Sequence, residues 1–237
     1  MLGYIVTDLK ITKNKLDDCL KKAVAESFNT ISIDGDQSTS DTVLALSSNV
    51  IEPEAGDDVE FQDAINMICR NLAEDIVRNG EGTQHVIKVS VTGAPNDIFA
   101  RDLGRFVTNS NLVKCAIFGC DPNVGRIVGA IGSFFGQFEN GQMYTKGLTL
   151  HLNDQPIFSD GSFSLNPSVE TILSDSMMKS QLYPNELPET ERNFPPHDLS
   201  VDICISLNYM NSNTGSCTVI GSDLTKEYVE VNADYRS

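Results

Sequence analysis

The chain opens on an apolar run, Tyr4–Thr7, that reads as a strand, and then changes to helical spacing. Leu16, Leu20, Ala23 and Val24 recur on one face of a helix expected from about Lys13 to Phe28. Thr12 is placed to cap it, because its hydroxyl can accept an N–H of the first turn. A short strand at Ile31–Ile33, a polar loop Asp34–Asp41 and an apolar helical start at Thr42–Leu46 follow. The clearest helix runs from Val59 to Arg78, with Phe61, Ile65, Ile68, Leu72, Ile76 and Val77 as its stripe. Asp57 and Asp58 sit at its positive end and Gly80 follows its last turn. His85–Val91 alternates as a strand does, and a helix near Asp97–Thr108, a strand at Val113–Phe118 and a helix from about Asn123 to Phe138 continue the series.

Beyond Asn140 the pattern is less regular. Leu148–Leu152 and Gln155–Phe158 read as a hairpin and Ser168–Lys179 as a capped helix. Pro184, Pro188, Pro195 and Pro196 mark a surface loop, and strands are expected at Val201–Leu207, Cys217–Ile220 and Tyr228–Val231. Strands alternating with helices predict a layered α/β fold, with an α/β region over 1–140 and a smaller α+β region over 141–237. A chain that starts in mid-strand implies further sequence upstream.

Composition narrows the function classes. Apolar residues make up 40% and charged residues 21%, as in an ordinary globular protein. A net charge of −16 argues against nucleic acid and against docking on anionic lipid, both of which require clustered Lys and Arg. No apolar run approaches the roughly 18 residues that span a bilayer. The N-terminus lacks the basic region of a signal peptide. Six cysteines without a CxxC pair fit a reducing compartment better than a secreted disulfide scaffold.

Several segments invite chemistry. Read as a calcium loop, Asp34–Asp41 would need Gly at its sixth position and Glu at its twelfth, where Thr39 and Ala45 stand. It reads instead as a loop held by local Asp, Ser and Thr bonds, or as a support for another functional loop. Gly80-Glu81-Gly82 is either a carboxylate offered to an ammonium between two permissive residues, or a helix C-cap beside an exposed Glu. Asp121-Pro122-Asn123-Val124-Gly125-Arg126 precedes Gly129, Gly132 and Gly136; this is not the dinucleotide spacing. It suits close helix packing or an anion at a helix N-terminus. His85, His151 and His197 have no metal-ligand spacing, so no metal or other cofactor is implied, and each is read as structural or exposed. No G-x-S-x-G elbow and no local Cys/His signature occurs, so a self-contained catalytic set is missing.

Taken in order, Met1-Leu2-Gly3-Tyr4 with Thr7-Asp8, Ser27-Phe28-Asn29, Asp34-Gly35-Asp36, Ser38–Thr42, Ile76–Thr83, Lys114–Gly119, Asp121-Pro122-Asn123 and the closing Asn232–Ser237 resemble the family of bifunctional ornithine acetyltransferases of arginine biosynthesis. Order and spacing agree over roughly residues 1–132 and 200–237. The resemblance implies the β chain of a self-processing N-terminal-nucleophile acetyltransferase, paired with an α chain cut from the same precursor. The nucleophile would be a threonine standing immediately before Met1. A hydroxyl requires an adjacent base, and the free α-amino group of that threonine, with a pKa of about 7.7–8.0, supplies one. Acetyl would pass from N-acetylornithine to glutamate, with acetyl-CoA a further donor in some members. By the same resemblance Glu81, Asn232 and Ser237 bind substrate. The sequence departs from the family pattern at Val124, where a tryptophan is expected; the smaller side chain loosens packing but removes no reacting group. The threonine itself is not in the sequence, and without it the chain would be an inactive, partner-binding fragment. The proline-bearing segment near 184–198 resembles fungal mitochondrial members, which implies the matrix, or the cytoplasm for a bacterial source.

Overall fold

A computed structural model describes residues 1–54, 56–183, 199–208 and 214–234. The proline loop at 184–198, His197 and Ser237 therefore lie outside the described residues. Two compact units are present: Met1–Ile31 with Gly35–Ile76, and Ser32–Asp34 with Val77–Ser237. The division expected at residue 140 falls inside the second of these.

In the first unit, β1 (Leu2–Leu9) pairs in parallel with β3 (Thr42–Ile51), Leu2 beside Thr42 and Val6 beside Leu46. Between them in sequence lies α1 (Lys13–Ala25), capped by Thr12 as expected, its hydroxyl accepting from Lys15 N–H. Next comes α2 (Asp57–Arg78), whose residues up to Ile76 belong to this unit. Ile5, Cys19, Ala23, Phe28, Ile65, Cys69 and Ala73 make its core, with Leu20, Val24, Phe61, Leu72 and Ile76 packed against them. Ile68, expected in the stripe, is instead 42% exposed. Thr42–Leu46 is a strand and not a helix. Its alternation puts Val43 and Ala45 against the core and leaves Leu44 and Leu46 outside, and pairing with β1 overrides the helical preference of Leu and Ala.

The second unit is built on a sheet ordered β9-β4-β8-β5-β6-β7, with Ser32 of the two-residue strand β2 (Ile31–Ser32) at its outer edge. Its strands are β4 (Val86–Ala94), β5 (Leu148–Leu152), β6 (Gln155–Ser159), β7 (Ser162–Phe163), β8 (Val201–Leu207) and β9 (Gly215–Ser222). β4 runs parallel to β8 and antiparallel to β9. The expected hairpin joins β5 to β6 through Asn153 and Asp154, both at positive φ (42° and 63°), as a type I′ turn requires.

One sheet face is apolar, through Ile87, Val89, Val91, Leu150, Ile203 and Ile205. It is covered by α3 (Asp97–Thr108), α4 (Asn111–Phe118), α5 (Val124–Phe135) and α6 (Pro167–Lys179). Gly104 of α3 permits a close approach to the sheet, since a Cβ there would lie 2.7 Å from a Val219 methyl. The other face carries hydroxyl pairs, Ser90 with Thr218 at 3.0 Å and Thr92 with Ser206 at 3.1 Å.

Two further expectations fail here. Val113–Phe118 is helical: Val113, Ala116 and Ile117 fit i, i+3, i+4 burial, a pattern that a short apolar run conceals. Tyr228–Val231 lies in α7 (Lys226–Ala233), where the Thr225 hydroxyl accepts Tyr228 N–H and starts a helix in residues that favour strands. Gly129 and Gly132 of α5 serve no close packing among the described residues, for a Cβ on either would meet nothing within 4 Å. The N-terminus of α5 is capped by its own Asn123 side chain. Val124 is enclosed in the core at 2% exposure. All six cysteines are free thiols. No helix among the described residues is long and apolar enough to cross a membrane.

Replacing Leu103, which is wholly buried between α3 and the sheet, by Ala is expected to destabilise the protein by about 2–5 kcal/mol in urea denaturation. Ile98→Ala on the exposed side of the same helix (63% exposed) should change stability by less than about 0.5 kcal/mol.

Candidate functional site

After Arg78 the chain makes a tight turn before entering β4. Gly80 N–H donates to Val77 O at 3.1 Å and Thr83 N–H to Gly80 O at 3.1 Å, which leaves Glu81 exposed at the tip. Gly82 has φ +65°, and a Cβ on it would fall 2.5 Å from Tyr228 N. The glycine thus lets the turn press against the start of α7. Thr225 joins the two segments: its hydroxyl donates to Gly82 O at 2.8 Å while accepting Tyr228 N–H at 3.0 Å. Two turns along α7, Asn232 Nδ2 donates to Glu81 Oε2 at 2.9 Å and to Tyr228 O at 3.0 Å. Glu81 and Asn232, named separately from the sequence, therefore stand together. Gly80 closes the end of α2 and Glu81 is exposed, as the C-cap reading of Gly80-Glu81-Gly82 expects, and Gly82 in addition lets the turn approach the backbone of α7.

An exposed carboxylate beside a primary amide has a defined chemistry. The carboxylate accepts from an ammonium group, and the amide offers a donor and an acceptor to a neighbouring polar group. The pair suits one end of a small zwitterion. In the same turn Thr83 Oγ1 is buried without a hydrogen-bond partner.

Behind this pair lies a buried polar cluster that sequence reasoning did not find. Asp223 Oδ2 stands 2.8 Å from His85 Nδ1, both side chains wholly buried, and Asp223 Oδ1 accepts Gln84 N–H at 3.0 Å. Cys120 Sγ is 3.7 Å from His85 Nε2. Thiol, imidazole and carboxylate stand in the order used for a cysteine nucleophile, but burial pushes the Cys120 thiol up and the Asp223 charge adds to this. A buried thiol held in its neutral form is inert. His85 is structural, as expected; His151 is half-buried. Among the described residues no group of three or more His, Cys, Asp or Glu is arranged to hold a metal ion.

Lys114 enters the cluster from α4. Only 3% exposed, it donates to Ile33 O. Burial brings its pKa down to about 8, against the opposing pull of Asp223 and Asp34. Asp34 in turn accepts from Tyr228 OH at 2.9 Å. The one sequence signal for this residue was a lysine inside an otherwise apolar stretch.

In the first unit, Ser38 N–H donates to Asp41 Oδ2 at 3.0 Å. Ser40 N–H donates to Ser38 Oγ at 3.0 Å, so the segment is held by local side-chain bonds, as one of its two sequence readings anticipated.

The ArgJ family model matches residues 1–237. The chain belongs to the ArgJ family. It is 35% identical over 240 residues to the arginine biosynthesis bifunctional protein ArgJ of Dehalococcoides mccartyi, covering 99% of this chain and 52% of that protein. It is also 35% identical over 239 residues to the glutamate N-acetyltransferase of Methanocaldococcus jannaschii, covering 99% of this chain and 54% of that one. The crystal structure of ArgJ from Bacillus halodurans superposes with a TM-score of 0.78 at 29% identity, over 99% of this chain and 100% of the solved one. The resemblance read from the motifs and the α/β class are thus both confirmed. The chain spans about half the length of the curated ArgJ relatives it matches.

Lys114 yields a pH test. The unfolded chain holds this proton up to the ordinary lysine value of 10.5, and the folded chain releases it near 8. Between these values the unfolded state binds more protons, so the Lys114 contribution to stability rises with pH. Denaturation measured from pH 8 to 10.5 should show a gain of up to about 1.4 kcal/mol per pH unit relative to Lys114→Met. Parallel curves for the two proteins would disprove it.

Proposed function

We propose that this chain is the β subunit of a glutamate N-acetyltransferase of arginine biosynthesis, moving acetyl from N2-acetyl-L-ornithine to L-glutamate. The 2.9 Å pairing of Asn232 with Glu81 carries the reading, because it joins two motif residues from distant parts of an ArgJ-family chain. In this reading Glu81 receives the ammonium of the bound amino acid and Asn232 orients both. Ser237, outside the described residues, supplies a third polar contact.

The nucleophile is a threonine preceding Met1, freed when the precursor cuts itself. Its α-amino group takes the hydroxyl proton as the oxygen attacks the acetyl carbonyl. Ornithine leaves with that proton, giving an acetyl ester. The glutamate amine then attacks the ester, and the threonine hydroxyl is restored as the amide forms. The same hydroxyl is competent toward the thioester of acetyl-CoA, and label passing from acetyl-CoA to glutamate would reveal that second donor.

The partner in this reading is the α chain, corresponding to the part of the relatives' length that this chain does not span. Support comes from the first unit, whose two-stranded sheet turns Leu2 (64% exposed), Tyr4 (59%), Val6 (75%) and Leu46 (56%) outward. A parallel pair of strands is ordinarily buried on both faces, and an apolar face of this kind marks an interface. The mitochondrial matrix is the proposed compartment, or the cytoplasm for a bacterial source.

Intact mass and N-terminal sequencing of the chain from its native source should place a threonine ahead of Met1. A native chain beginning at Met1 would reduce the protein to a partner-binding fragment. In the assembled enzyme, Glu81→Ala and Asn232→Ala are each expected to raise KM for the amino-acid substrates about tenfold or more, equivalent to about 1.4 kcal/mol of lost binding. Val6→Asp on the open sheet face should abolish co-purification with the α chain while Leu112→Asp, exposed on a helix of the second unit, leaves it intact.

A further inference from the structure

We propose that Asp223 is the positioning residue of the substrate pair, a buried clamp that sets where Glu81 and Asn232 stand. This rests on the assignment of those two residues to substrate binding. Neither has the means to hold its own place. Glu81 is exposed at the tip of a turn, and Asn232 lies near the end of an eight-residue helix that buries none of its residues. Something beneath them must fix the two backbones relative to each other.

Three ties do this in sequence order. The deepest is Asp223 against residues 84 and 85: Oδ1 accepts Gln84 N–H at 3.0 Å, Oδ2 faces His85 Nδ1 at 2.8 Å, and Asp223 N–H donates to His85 O at 3.1 Å. The middle tie is Thr225 to Gly82 at 2.8 Å. The outermost is Asn232 to Glu81 at 2.9 Å. Only the last is exposed and open to substrate. The first is wholly buried and uses both carboxylate oxygens, so its geometry is the most rigid of the three. The groups facing Asp223 from other elements are Lys114 of α4 and the Cys120 thiol beyond His85.

The cluster itself gains a role from this. His85 is the donor that lets a carboxylate be buried beside the Glu81 turn, and Cys120 closes the far side of the ring. Asp223 never touches substrate; it acts through Glu81 and Asn232.

The test is a double-mutant cycle in the complete αβ enzyme, with KM for glutamate and for N-acetylornithine measured beside Tm and the fraction of enzyme acetylated in a single turnover. Asp223→Asn should raise KM at least about fivefold while that fraction, among folded molecules, is unchanged. Combined with Glu81→Ala, it should add less than about twofold, because the clamp acts through a side chain that is no longer there. A merely structural Asp223 would lower Tm and the active fraction with KM unchanged, and that result overturns the proposal. So does a full multiplicative effect of Asp223→Asn in the Glu81→Ala background. If Asp223→Asn fails to assemble, Thr225→Val cuts the middle tie and should show the same KM rise and the same non-additivity; additivity there likewise overturns it. If Glu81→Ala alone leaves KM unchanged, the substrate assignment fails and the clamp falls with it, which separates that failure from a failure of the clamp alone.

Discussion

A carboxylate taken out of water is tolerated only where donors replace its lost hydration, and in the second unit that condition falls on Asp223. Its donors are a backbone N–H at the entrance to β4 and the His85 imidazole, with the Lys114 ammonium facing it from α4. Those groups lie far apart in sequence, Gln84 being 139 residues from Asp223. Satisfying one buried charge therefore gathers the exit of α2, the start of β4, helix α4 and the turn into α7. Breaking any one connection would leave a charge or an N–H without a partner, at about 1–3 kcal/mol for a neutral group and more for a charged one. The position of the Glu81 turn follows from that penalty more than from the turn's own sequence.

How much of this was legible in the sequence depended on how local each cause was. Where the signal is local, the reading held: Thr12 caps α1 as expected, and the helix near Asp97–Thr108, the capped helix ending at Lys179 and the β5–β6 hairpin are all present, started or closed by Asn96, Asn166 and Asn153-Asp154, which the sequence had not singled out. Where the cause is a distant neighbour, it failed. Thr42–Leu46 is a strand because β1 lies beside it, and the short apolar run Val113–Phe118 hides a helix behind strand-like composition. One local signal was also missed: the Thr225 hydroxyl caps α7 and overrides the strand preference of Tyr228, Val229 and Val231. The site divides the same way. Motif resemblance picked out Glu81 and Asn232, but nothing in the pattern said that they touch. Asp223 drew no reading, and although His85 began a predicted strand and Lys114 headed a family-like motif, nothing in the pattern joined the three, since a buried polar residue is defined by partners that periodicity does not reveal.

The two units differ in how completely each covers its own apolar surface. In the second, helices α3, α4, α5 and α6 cover one face of the sheet, and cross-strand hydroxyl pairs make the other face tolerable to water. The first has a core of seven buried residues under two strands, and the outward side chains of those strands are Leu, Tyr and Val. Two strands alone are marginal in water, and an apolar outer face makes them more so. That asymmetry ties the family's length to its physics. In the proposed reading, the part of the relatives' length that this chain does not span supplies the partner that covers the open face of the first unit.

The division of labour among the carboxylates follows from the same electrostatics. In the proposed reading, exposed Glu81 keeps its hydration until substrate replaces it, exchanging water for an ammonium at little loss. Buried Asp223 has already exchanged water for the Gln84 N–H and the His85 imidazole, and is unsuited to capture but suited to anchoring. Immobilising a free Glu side chain on binding costs up to about 2 kcal/mol, and the Asn232 amide lowers that cost by holding Oε2 before substrate arrives. In the proposed reading, a binding carboxylate, a tethering amide and a buried anchor behind them form one arrangement. Each is weak at the other's task because a group that is well solvated is poorly fixed, and a group that is well fixed has given up its water.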